Sequence, residues 1–122
     1  RRMLDAGVIL ANGSDFPVEY SNPFLGLYAS VTRQGRDGEP EGGWYADQAL
    51  TRAEALHSFT LAGAFAARQE DRLGSLEKGK WADFIVIDRD YFTVPASEID
   101  DIVVLETWVA GKQVYTKQVD TE

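Results

Sequence analysis

Asp15 is the residue in this chain whose type and placement best suit chemistry. It sits in "ILANGSDFPVEYSNPF", residues 9–24, where an apolar run enters a glycine, a serine, a carboxylate and then a proline. Three roles are open to a carboxylate there: an Asx turn, a helix cap, or an acid–base group at the end of a buried strand. Gly13 and Ser14 give the backbone room to turn a side chain out of the strand. Phe16 and Pro17 follow at once and are candidates for the rim of a pocket. Trp44 and Tyr45, after two glycines in a long loop, are the remaining candidates, as pocket lining or lid or, equally, as aromatics packed on the adjacent helix. The single histidine, His57, lies on an amphipathic helix and reads as a rim residue, because a metal site of His type needs several ligands together. Asp15 is a candidate metal ligand only if others join it from elsewhere. The acids at 97–101 read as a solvated connection.

The elements that would hold these residues follow from the chain's grammar. Arg1–Asp5 looks like the last turn of a helix stopped by Ala6-Gly7. Val8–Ala11 is apolar on both faces, which predicts a parallel strand covered on both sides. A parallel strand needs parallel neighbours that these residues do not supply, so the chain is read as the C-terminal piece of something larger. Asn22-Pro23 is a helix start, with Phe24, Leu27, Tyr28 and Val31 forming one apolar stripe. Residues 33–48, "RQGRDGEPEGGWYADQ", are Gly-rich and aperiodic and predict a long loop. Thr51-Arg52-Ala53-Glu54 is a capping box opening a helix that carries Ala55, Leu56, Phe59, Ala62, Gly63 and Ala66 at helical spacing. After residue 70 the pattern turns to β. Phe84–Ile87, bounded by Asp83 and Asp88, is a strand; Ile102–Val109 is another; Ala110-Gly111 turns it back into Gln113-Val114-Tyr115. The residues from Val119 read as a frayed tail.

Composition bounds the partners. The 122 residues are 44% hydrophobic and 26% charged, with net charge -8, no cysteine and one domain's worth of globular chain. The charge argues against binding nucleic acid through its phosphates and against an anionic membrane surface. Lack of cysteine rules out a disulfide frame and suits the cytoplasm.

In order, "GVILANGSDFPV", "NPFLGLYASVTRQ", "GGWY", "LTRAEALHSFTLAGAFA", "LGSLEKGKWADFIVIDRD" and "VAGKQVY" resemble the C-terminal part of the amidohydrolase superfamily. The resemblance is to the amidohydrolase-3 branch, with enzymes similar to N-substituted formamide deformylase. It implies an α/β fold: the last strand and helices of a (β/α)8 TIM barrel over residues 1–72, and a segment of a small β-sandwich over 73–118. It also implies that Asp15, at the end of the eighth strand, is the general base that takes a proton from metal-bound water. The metal is a divalent ion, zinc by this resemblance, whose His ligands lie outside this sequence, so this chain alone binds none and is silent. A small amide-type substrate and a homo-oligomer complete the expectation. A noncatalytic scaffold or oligomerisation module of sandwich and helices is the competing reading.

Overall fold

The computed structural model describes residues 1–118; the expected frayed tail from Val119 lies outside them. Four helices precede a three-stranded sheet: α1 (Arg2–Asp5), α2 (Pro23–Thr32), α3 (Arg52–Phe59), α4 (Leu61–Ala66), β1 (Phe84–Ile87), β2 (Val104–Val109) and β3 (Lys112–Thr116). Short 3₁₀ turns fall at Ala46–Gln48 and Ala96–Glu98.

Helices α2 and α3 start where their capping chemistry dictates. The Asn22 side chain accepts from the Phe24 N–H at 3.0 Å, and Pro23 occupies the first helical position. At α3 the box is closed both ways: Thr51 Oγ1 accepts from the Glu54 N–H, and Glu54 Oε2 accepts from the Thr51 N–H at 2.8 Å. The α2 stripe is the centre of the core. Phe24, Leu27 and Tyr28 pack with Leu50, Ala55, Tyr91, Ile99 and Ile102, and Val31 packs against them from the edge. Phe59 sits directly on α2: a Cβ at Gly26 would lie 2.5 Å from the Phe59 ring.

The sheet is antiparallel in the order β1-β2-β3. Phe84 faces Trp108 across the first pair, their rings stacked 5.6 Å apart. Both aspartates that bound β1 extend its ladder with side chains: Asp83 Oδ1 accepts from the Ala110 N–H at 2.7 Å and Asp88 Oδ1 from the Val103 N–H at 2.8 Å. The β2–β3 turn has φ of 50° at Ala110 and 74° at Gly111, the two left-handed positions of a type I′ hairpin.

Three expectations are corrected. Residues 8–11 form no strand among the described residues, and Val8 and Ile9 are 43% and 52% exposed rather than covered. The cause is the absence of a neighbour: the backbone bonds here are Val8 N–H to Met3 O and Asn12 N–H to Ser58 O, not a ladder. The helix from the capping box is two helices. Thr60, at φ -123° and ψ -91°, breaks it, and its hydroxyl donates back to Leu56 O at 2.7 Å. The second strand begins at Val104, not Ile102, because the Ile102 N–H is used by Ile99 O and Ile102 itself is buried.

Candidate functional site

Asp15 stands at the tip of a tight turn closed by backbone alone. The Val18 N–H donates to Asp15 O at 2.9 Å and the Glu19 N–H to Ser14 O at 3.1 Å. The residue adopts φ 47°, left-handed backbone that Asp tolerates better than most. An Asx turn would need an N–H two residues on, and that residue is Pro17, which has none. The cap of the next helix is Asn22, not Asp15. Both structural roles open to this carboxylate are therefore unused, and its side chain is exposed.

What fixes the turn is upstream. The Asn12 N–H donates to Ser58 O at 2.9 Å and Asn12 Nδ2 to Ser58 Oγ at 3.1 Å. Ser58 is 2% exposed and donates in turn to Ala55 O at 2.7 Å. This chain of bonds ties Asn12 to the last turn of α3, 46 residues away in sequence. No local pattern announces that pair.

Phe16 and Pro17 share the Asp15 turn, and Phe16 is 68% exposed. Trp44 and Tyr45 lie on the other loop. Their rings meet edge-to-face at 4.8 Å, and Arg33 lies 5.3 Å from the Trp44 ring while its Nε donates to Trp44 O at 3.0 Å. Gly43, at φ 87°, lets this segment fold back on α2: a Cβ there would lie 2.3 Å from Thr32 O. Both aromatics are exposed, and neither lines the cleft beside residues 13–14.

That cleft, about 640 Å³, runs between residues 13–23, α2 and residues 34–36. Arg36 lies 5.0 Å from the Tyr20 ring at its border. Neither residue carried a signal in the sequence, because their pairing depends on how two loops fold together.

The donor set for a divalent metal does not fit. Among the described residues no group of three or more His, Cys, Asp or Glu side chains converges. His57 is exposed on α3, beside a separate cleft walled by Ile9, Leu61 and Phe65. A lone Asp15 is one ligand where a zinc site needs three or four.

With this geometry in view, the family profile described as "Amidohydrolase family" matches residues 1–115. The N-substituted formamide deformylase of Arthrobacter pascens is 36% identical over 111 residues, 91% of this chain and 20% of that protein. The protein LONG AFTER FAR-RED 3 of Arabidopsis thaliana is 32% identical over 113 residues, 93% of this chain and 19% of that one. An amidohydrolase from Thermotoga maritima MSB8, solved by crystallography, shares the fold with TM-score 0.70 at 21% identity, over 95% of this chain and 25% of that one. The chain belongs to the amidohydrolase family, in its amidohydrolase-3 branch. It spans about a fifth of the length of the curated relatives it matches. No helix of the described residues is long and apolar enough to cross a membrane.

Proposed function

We propose that this chain is the C-terminal part of a metal-dependent amidohydrolase, active on carbon–nitrogen bonds of amide or formamide type, to which it contributes Asp15 as the proton-transferring carboxylate. In this reading residues 1–72 end a (β/α)8 barrel, with residues 8–11 as a strand once flanked by neighbours, and residues 73–118 belong to a β-sandwich. The observation that carries it is the Asp15 turn, closed without the side chain and leaving an exposed carboxylate at an apolar segment's end. Barrel enzymes place their reacting groups at strand C-termini. The Arthrobacter relative, by its name, removes formyl groups from N-substituted formamides.

The step assigned to Asp15 is a proton relay. Its carboxylate takes a proton from water as the water oxygen bonds to the carbonyl carbon, and the carbonyl π pair moves to oxygen. When that pair returns, the C–N bond breaks, and Asp15 delivers the same proton to the departing nitrogen. Acid and amine leave, and the carboxylate is restored. The divalent metal, zinc in this reading, is held by residues outside these 122. Phe16, Pro17, Trp44 and Tyr45 are assigned to the substrate's surroundings, in a cytoplasmic homo-oligomer.

The test is hydrolysis by the full-length protein of a panel of N-substituted formamides and simple amides, with and without a chelator. Stoichiometric release of acid and amine, lost on chelation and restored by zinc, is the expected result. No hydrolysis of any member by zinc-loaded enzyme overturns the assignment and favours the scaffold reading.

A further inference from the structure

The cleft beside Asp15 carries a polar feature that the proton relay does not use. Its inner surface is apolar, with Leu25, Tyr28 and Phe59 facing it, and Gly13 and Ser14 form the wall that leads to Asp15. At its mouth the Arg36 guanidinium lies 5.0 Å from the Tyr20 ring centroid. A cation–π contact of this kind favours the guanidinium's place over the ring and leaves its N–H groups available to a planar acceptor. The ion pairs among the described residues are made by Arg1, Lys80 and Arg89, and no carboxylate among those residues lies within ion-pair distance of Arg36. Glu19 borders the same cleft, and Asp100 and Asp101 border an adjoining one that Arg36 also lines. Those three acids disfavour a multiply charged anion, so a single carboxylate is held only where it meets the guanidinium directly.

We propose that Arg36, held by Tyr20, recognises a carboxylate, and that the cleft takes a small monocarboxylate with an aromatic or branched apolar body. As a statement about substrate, this rests on the reading of Asp15; as a statement about binding, it stands on the cleft alone. The apolar body lies against Phe59 and Tyr28, and the carboxylate accepts two N–H bonds from the guanidinium, the geometry in which Arg exceeds Lys.

Benzoate and benzamide, the same ring with and without the charge, are the probes. The full-length protein is titrated with each and followed by amide and arginine Nε–Hε resonances. Benzoate is expected to move Gly13, Ser14, Tyr20 and Arg36 and to bind roughly tenfold more tightly than benzamide, the scale of one charge-assisted contact. Arg36→Gln, an exposed site whose change leaves the core intact, brings the two ligands within about twofold, and Arg36→Lys falls between. Equal affinity for the two probes in the parent chain, or benzoate binding undiminished in Arg36→Gln, overturns the inference. Neither readout uses turnover, so its failure is separable from failure of the Asp15 assignment.

Discussion

Replacing Arg52 by Met is expected to loosen the joint between the helices and the sheet-side segment without disturbing the core. Arg52 is the first residue of α3, yet its side chain reaches across 39 residues of sequence. One Nη donates to Tyr91 O and the other to Val94 O, and the guanidinium lies 5.9 Å from the Tyr91 ring. The Tyr91 hydroxyl donates back to Arg52 O at 3.0 Å, and Tyr91 is only 4% exposed. A hydrogen bond to a charged group contributes about 1.5–3 kcal/mol net. Two such bonds at the low end, part-exposed, amount to about 3 kcal/mol. Met keeps the apolar stem, so little of that loss comes from packing. With a urea m value of ~1.5 kcal/mol/M, the unfolding midpoint falls by about 2 M. Tyr91→Phe removes the return bond alone and costs about 1 kcal/mol. A midpoint shift below about 0.3 M at unchanged m for Arg52→Met would refute the lock, since less than ~0.5 kcal/mol is the scale of an ordinary surface substitution.

Native-state hydrogen exchange should be slower at Phe84–Ile87 and Val104–Leu105 than at Val8–Leu10, because the first two are laddered and the last has no strand partner; equal protection would contradict the assignment of order. Ala110 holds a left-handed φ of 50° that Asn adopts at lower cost, so Ala110→Asn should stabilise the hairpin by about 1 kcal/mol and raise Tm by about 4 °C in calorimetry. The Arg1 guanidinium, donating to both Glu54 oxygens at 2.7 Å, together with the Thr51 N–H and hydroxyl, lowers the Glu54 carboxyl from 4.5 to about 2. A depressed carboxyl stabilises the fold above its unfolded value, so this contribution is full above about pH 4.5 and is lost as pH falls towards about 2. Glu54→Gln should flatten the urea midpoint across that window, and an unchanged acid limb would count against the pairing.

Local chemistry was readable from the sequence wherever a residue acts on neighbours within four positions. Asn22-Pro23, the Thr51–Glu54 box and Ala110-Gly111 all do so, and each marks the boundary observed. Residues 8–11 show the limit of that logic: apolarity on both faces states what the segment suits, but a strand exists only where another supplies its hydrogen bonds. The break at Thr60 was hidden for a related reason. Helical spacing continues through it, while Gly74 approaches Leu61 and Ala64 so closely that a Cβ there would lie 2.8 Å from each. At the site, Asp15 was marked by its place after an apolar run. Asn12–Ser58, Arg36–Tyr20 and Arg52–Tyr91 were not, since none has a sequence period connecting its members.

The central claim is that Asp15 moves a proton, and one variant of the full-length enzyme tests it. Asp15→Asn keeps the size and the left-handed turn, whose closing bonds are backbone ones, but cannot accept a proton. Loss of general-base catalysis costs ~10² to 10⁴ in rate. The account predicts a fall of that size in kcat, with metal content unchanged because the ligands lie elsewhere. Activity within a few-fold of the parent would contradict it, and loss of the metal in the same variant would make Asp15 a ligand rather than the base.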